Sequence, residues 1–110
     1  MNRKKQKEQQ MAISDVIQRG AAYYIYDNNG KQSGLVPVQV GELLGICIDF
    51  IILRQGGIYI TYDEKGKQAG TVPVLAGEFK NAAGNTFNLI KNGMIYSYNK
   101  KCQRTGMRPA

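Results

Sequence analysis

The two cysteines are the side chains of this chain best suited to nucleophilic chemistry. Cys47 lies in an apolar segment, where a small buried residue is expected. Cys102 lies among basic residues, which are expected to lower the pKa of its thiol. Neither has a base to activate it, because the chain contains no histidine, and two cysteines this far apart do not form a zinc motif. We therefore expect no catalytic residue, no metal site and no cofactor.

Two pairs of acidic residues recur 36 positions apart and could carry acid–base chemistry. Asp27 and Asp63 each stand in a Tyr-Asp-x-x-Gly segment, where the carboxylate accepts backbone N–H bonds within a turn. Glu42 and Glu78 each follow a glycine, which suggests solvated loop carboxylates, with a hydrogen bond to a neighbouring unit as the alternative. No glycine-rich phosphate-binding motif is present. These carboxylates predict structure rather than catalysis.

Positive charge is concentrated at the two ends of the chain. Fifteen Lys and Arg residues stand against eight Asp and Glu, a formal net charge of +7, and between positions 20 and 95 the two signs cancel. Basic ends can bind phosphate without sequence preference, although a solubilising tail is the alternative. The candidate contacts for an anionic partner are Arg3, Lys4, Lys5, Lys7, Lys100, Lys101 and Arg104.

The tyrosines could serve as stacking platforms for single-stranded nucleic acid. Three of them, Tyr26, Tyr62 and Tyr98, occupy the same position of the 36-residue spacing, which favours packing in a core. Tyr23 and Tyr59 alternate onto the opposite strand face, so we expect them to be exposed aromatic contacts.

These side chains must be positioned by a hairpin that recurs at a fixed spacing. The segments 24–34, 60–70 and 96–106 share the tyrosine-rich strand and the turn, and a period of this length indicates a repeat architecture. We expect units at 21–56 and 57–92 and a partial unit at 93–110.

Local residues refine this prediction. Pro37 and Pro73 lack a donor for strand pairing, so each should end a strand or lie at a sheet edge. Further strands are expected near 49–53 and 86–90. In the third turn Asn99 and Cys102 replace the aspartate and glycine, which predicts a changed conformation because a cysteine disfavours positive φ.

The first twenty residues form a separate segment in this prediction. Residues 1–10 are basic and without periodicity, typical of a mobile arm. Ile13, Val16 and Ile17 recur at helical spacing, and Gly20 stands where a glycine commonly ends a helix. We expect a short helix near 8–19 that docks through these three side chains.

Together these features predict an all-β, mainly antiparallel domain over residues 21–110. Three repeated β-hairpins with two linking strand segments would form a small barrel or sandwich, joined by one short N-terminal helix. A curl of partial propeller blades and an open array are alternatives.

The hairpins resemble those of YD-repeat (RHS-type) proteins. The matching residues are Tyr24, Tyr26, Asp27, Gly30 and Lys31, and in the second copy Tyr62, Asp63, Gly66 and Lys67. The longer spacing is similar to the WG-repeat family, through Gly57, Asp63, Gly66, Lys67 and the pair Asn92-Gly93. The resemblance implies a non-catalytic β-repeat scaffold and brings no active-site residue with it.

We therefore expect a non-enzymatic structural or binding module that forms a homo-oligomer or docks into a larger bacterial or phage assembly. The alternatives are a nucleic-acid-binding accessory protein that uses the basic termini and a small inhibitor or immunity-type protein. The sequence shows no signal peptide and no membrane span, so we expect synthesis in the cytoplasm, with incorporation into a particle left open. Reduced thiols are then the default, and a Cys47–Cys102 disulfide is the alternative.

Overall fold

The protein folds into eleven β-strands arranged in three antiparallel sheets, in a computed structural model that describes residues 12–110. The first sheet contains β1 (Ile13–Arg19), β2 (Ala22–Asp27) and β3 (Gln32–Pro37). The second contains β4 (Glu42–Ile46), β5 (Phe50–Gln55), β6 (Ile58–Asp63) and β7 (Gln68–Pro73). The third contains β8 (Glu78–Ala83), β9 (Thr86–Lys91), β10 (Met94–Tyr98) and β11 (Arg104–Pro109).

In every sheet, strands that follow each other in the chain are paired, so each sheet is a simple meander. Pro37 and Pro73 end the edge strands β3 and β7, as their missing N–H groups predict. A single 3₁₀ turn follows each proline and leads to the next sheet, at Val38–Val40 and Val74–Ala76. The all-β, antiparallel class expected from the sequence is therefore confirmed.

The core lies between the sheets, and the second sheet is covered on both faces. Side chains of β5 alternate in direction along the strand: Phe50 and Ile52 pack with the third sheet, whereas Ile51 and Leu53 pack with the first. All four are fully buried, which explains why this strand is an unbroken apolar run. The three sheets are therefore stacked in series through two apolar interfaces.

The strands do not close into the small barrel offered by the sequence analysis. The strand pairing falls into three separate sheets within residues 12–110, and no ladder connects one sheet to the next. Closure requires continuous pairing around a ring, and here β3 and β7 end at prolines before the chain turns away. The strands expected near 49–53 and 86–90 are β5 and β9, while β4 and β8 were not predicted.

The predicted N-terminal helix is wrong: the described part of that segment is strand β1. Its side chains alternate, so that Val16 pairs with Ile25 towards the second sheet and Ile17 pairs with Tyr24 on the outer side. Ile13 packs on the same core as Val16 after a register shift between Ile13 and Asp15, which produces the apparent helical spacing. Residues 1–11, which include the predicted arm, lie outside the described residues.

The three hairpin turns share one hydrogen-bond pattern, so the predicted change in the third turn is also wrong. Asp27 and Asp63 each accept two backbone N–H bonds at one carboxylate oxygen, at 2.9 and 3.0 Å. Asn99 accepts the equivalent pair at its Oδ1, also at 2.9 and 3.0 Å. Cys102 takes the glycine position at φ 61°. The amide oxygen preserves the turn although a side chain occupies a left-handed position.

The described part of the chain contains no helix with the length and apolar character needed to cross a membrane.

Candidate interaction surfaces

The first and second sheets meet where a hairpin turn packs on a glycine. Gly34 in β3 lies so close to the turn of the next sheet that an added Cβ would come within 2.5 Å of the Lys65 carbonyl carbon. The neighbouring Ser33 hydroxyl donates a 2.7 Å hydrogen bond to the Glu64 carbonyl oxygen. Gly66, at φ 82°, lies equally close to the Leu35 backbone. The contact therefore consists of one small residue, one hydroxyl donor and one turn.

The second and third sheets meet in the same way. An added Cβ at Gly70 would lie 2.5 Å from the Lys101 carbonyl oxygen, in the turn of the third sheet. The Thr61 hydroxyl donates to the carbonyl oxygen of Lys100 at 2.5 Å. Gly70 lies 36 positions after Gly34, and Lys100 lies 36 positions after Glu64. Both interfaces thus place a turn against a glycine and direct a hydroxyl to the same carbonyl position.

Tyr23 and Tyr59 belong to these interfaces, so their predicted exposure is wrong. They are 7% and 1% exposed, and their hydroxyls donate to the carbonyl oxygens of Gly41 at 2.8 Å and Gly77 at 2.7 Å. Each bond fixes the start of the following sheet, because Gly41 and Gly77 directly precede β4 and β8. These tyrosines stabilise the stack and are not available to an external ligand.

The third sheet presents an outer face with the same elements but no turn upon them within residues 12–110. Gly106 is paired with Ser97, and among the described residues the only atom within 4 Å of a Cβ added there is the Ser97 Cβ. The Thr105 hydroxyl donates to the Ser97 carbonyl oxygen at 3.4 Å, just as the Ser33 hydroxyl does to Ile25. Ile95, which is buried, and Arg108, which is exposed, are paired on this face. The outer face of the third sheet is defined by Asn88, Ile90, Ile95, Ser97, Gly106 and Arg108.

The first sheet presents a different outer face, which is more apolar. Ile17 and Leu35 are 37% and 41% exposed and pair on either side of Tyr24. The Arg19 guanidinium lies 5.4 Å from the centre of the Tyr24 ring, a cation–π distance. The outer face of the first sheet is defined by Asp15, Ile17, Arg19, Tyr24, Tyr26 and Leu35. Tyr26, expected in the core, thus lies on an outer face.

The basic residues near the third turn make contacts within the protein. Lys100 forms an ion pair of 2.7 Å with Asp49, and the Arg104 guanidinium lies 5.5 Å from the Tyr96 ring centre. Lys101 is exposed, while its backbone covers Gly70. The other candidate contacts, Arg3, Lys4, Lys5 and Lys7, lie outside the described residues. The nucleic-acid hypothesis stays a prediction, to be tested by the salt dependence of binding.

The cysteines are placed for packing. Cys47 is buried, and its thiol donates to the Thr86 carbonyl oxygen at 3.3 Å. Burial, and to a smaller extent the nearby Asp49 carboxylate, raises the pKa of this thiol to about 12. Cys102 is also free, and burial raises its pKa, contrary to the predicted lowering. Desolvation is the largest cause of this shift and outweighs the hydrogen bond with Thr61, which lowers the pKa.

The recurring carboxylates have two different settings, and Glu42 and Glu78 line one pocket together with Arg54. Asp27 and Asp63 use a side-chain oxygen to hold their own turns, and Glu42 and Glu78 are exposed. No group of three metal-binding side chains occurs within residues 12–110.

Sequence reasoning missed the glycines and hydroxyls that build these interfaces. Gly34, Gly70 and Gly106 recur at 36-residue spacing without a positive φ, so no turn requires them. A glycine inside a strand often marks close approach of another backbone, and this was the available signal. A second signal was the tight turn at Gly20, Gly56 and Asn92, which recurs at the same spacing and would have identified β1 as a strand.

No protein-family model matches this chain, and neither a curated protein nor a solved structure is significantly similar to it.

Proposed function

We propose that this protein is a non-enzymatic assembly module, a β-repeat scaffold that self-associates through its outer sheet faces. The observation that carries the proposal is the outer face of the first sheet, where Ile17 and Leu35 are exposed beside Tyr24 and Tyr26. A row of exposed apolar side chains beside half-buried tyrosines on one sheet marks a surface suited to protein contact. A larger bacterial or phage assembly would use the same surface.

The repeat interpretation supports this proposal. Positions separated by 36 residues share the turn bonds of Asp27, Asp63 and Asn99, and they share the glycine contacts at Gly34 and Gly70. A unit of this kind cannot bury both of its faces alone, so it is stable when stacked on its neighbours. The resemblance to YD-repeat and WG-repeat hairpins points to the same scaffold role.

Sedimentation velocity of the full chain over a range of concentrations tests the proposal. We expect an oligomer at high concentration, and we expect Ile17→Lys to shift the equilibrium towards monomer, because a charge then replaces apolar contact area. Leu75→Lys is the matched control, since Leu75 is 82% exposed and lies in a 3₁₀ turn outside both outer faces. A clean monomer at the highest concentration would contradict the proposal.

A further inference from the structure

We propose that copies of this chain stack head to tail, with the outer face of the third sheet of one copy bound to the outer face of the first sheet of the next. This inference rests on the proposed function and specifies its geometry. The new contact would reproduce the two contacts that already join the three sheets within one molecule. A second copy is the occupant because one chain carries both surfaces of that contact, one on its first sheet and the other on its third sheet.

The glycine at the contact is already in place. Gly34 and Gly70 each have a turn packed against them, whereas the equivalent Gly106 has open space within residues 12–110. The turn of the first sheet, which contains Gly30, is the other half of this contact and packs against no strand among the described residues. Gly66 lies against the Leu35 backbone, but the equivalent Gly30, at φ 77°, has nothing within 4 Å of an added Cβ in the described structure. The turn 27–31 therefore matches the space above Gly106 of another copy.

The hydroxyl donor is present as well. The Ser33 hydroxyl is 3.4 Å from the Ile25 carbonyl oxygen and bonds at 2.7 Å to Glu64 in the next sheet. The Thr105 hydroxyl lies at the same distance, 3.4 Å, from the Ser97 carbonyl oxygen. No described residue supplies it with an acceptor equivalent to the Glu64 carbonyl oxygen. The position equivalent to Glu64 in the first sheet is Asn28. The Asn28 carbonyl oxygen of the next copy would be the missing acceptor.

The side chains of the two outer faces complement each other. Ile17 occupies the position of Leu53, which is fully buried between sheets, although Ile17 itself is 37% exposed. Asp15 and Arg108 replace Ile51 and Val72, which are apolar in the internal interfaces. The two replacements carry opposite charges on opposite outer faces. Their signs favour contact between unlike faces and disfavour contact between two faces of the same kind.

This contact is heterologous, so its geometry can be tested by blocking one face at a time. Gly106→Val fills the space above the third sheet, and a strand position with free space tolerates valine. Ile17→Lys blocks the first sheet. We expect sedimentation velocity to show each variant alone with self-association weakened roughly tenfold or more, equivalent to about 1.4 kcal/mol.

An equimolar mixture of the two variants gives the decisive result. The intact first sheet of the Gly106→Val copy can bind the intact third sheet of the Ile17→Lys copy, so we expect a heterodimer that forms in the mixture and not in either variant. Met107→Val is the matched control for valine, because Met107 is exposed and its side chain projects to the opposite face from Gly106. Thr105→Val, which removes the hydroxyl at nearly constant volume, is a second probe of the third sheet and should also weaken association.

Three outcomes would overturn the head-to-tail contact. If the wild type forms oligomers and the mixture does not restore association, the copies join in another way, and the proposed function stands. If the wild type is monomeric both with and without residues 1–11, both proposals fail. If a monomeric wild type associates only after deletion of residues 1–11, that segment covers the face and a second copy does not. The urea midpoints of all variants, measured in parallel, show whether each one is folded.

Discussion

At the scale of single residues, side-chain oxygens and small residues decide how this chain is joined. Asn99 holds the third turn as Asp27 and Asp63 hold the first two, although it carries no charge. The determining property is therefore the geometry of the Oδ1 acceptor. The same turn accepts Cys102 at φ 61°, a strained conformation that costs about 1–3 kcal/mol in general and that the surrounding bonds maintain.

Cys47 leads to a prediction about pH. Its thiol pKa is raised from 9.0 to about 12 by burial, so the folded protein keeps it protonated where the unfolded chain ionises it. Stability from this group is complete below pH 9 and decreases as the pH rises from about 9 towards 12. We expect Cys47→Ala to lose part of this alkaline decrease in the free energy of unfolding.

The measurement is urea unfolding of the wild type and Cys47→Ala between pH 7.5 and about 10.5. Cys102→Ala is the companion variant, because burial raises the pKa of that thiol too. Identical pH slopes for wild type and Cys47→Ala would show that this thiol does not titrate differently in the folded and unfolded protein.

At the scale of elements, strand β1 shows how neighbouring sheets determine local structure. Val16 faces the second sheet and Ile17 faces outwards, whereas a helix would have placed both on one docking stripe. We expect Val16→Lys to lower the free energy of unfolding by about 2 kcal/mol through lost apolar burial and desolvation. Ile17→Lys should change it by less than about 1 kcal/mol, as exposed positions do.

Urea unfolding at low protein concentration measures both values without a contribution from association. Equal losses for Val16→Lys and Ile17→Lys would contradict the strand and favour the helical stripe.

Some elements were predictable from sequence because their causes are local. The turns at Asp27 and Asp63 and the strand ends at Pro37 and Pro73 depend on one or two residues and were predicted correctly. The exposure of Tyr23 was not predictable in the same way. Alternation shows that a strand has two faces, but it does not show which of them another sheet covers. In the second sheet both faces are covered, so no exposed side remained for Tyr59.

The candidate surfaces were unpredictable for a related reason. Gly34, Gly70 and Gly106 have identical roles in the local strand pattern, and only the stacking of the sheets shows that two are covered and that the third has open space within residues 12–110. Likewise, the basic residues at the ends of the chain were predicted to contact an anionic partner because of their charge. One of them, Lys100, forms an ion pair with Asp49 instead. The contact residues are ordinary in type and become distinctive through their place in the stack.

At the scale of the whole molecule, this difference between covered and open glycines predicts opposite effects of one substitution. Gly70→Ala places a Cβ 2.5 Å from the Lys101 carbonyl oxygen, so we expect a loss of about 1–3 kcal/mol in the free energy of unfolding. Gly106→Ala meets open space in the described part of the chain and should be neutral or slightly stabilising, because alanine restricts the unfolded chain. Urea unfolding measures both. Similar losses for the two variants would show that the glycines serve strand geometry rather than sheet contact.

The double coverage of the second sheet has a consequence for how the molecule opens. The first and third sheets each border one neighbour, so either can separate from the stack while the other interface stays closed. A face of the second sheet becomes exposed to solvent only after the first or the third sheet has separated from it. In a series of units that contact only their nearest neighbours, local unfolding proceeds inwards from the ends. We therefore expect the backbone amides of β5 to exchange hydrogen most slowly. The first and third sheets, which carry the outer faces, should open first.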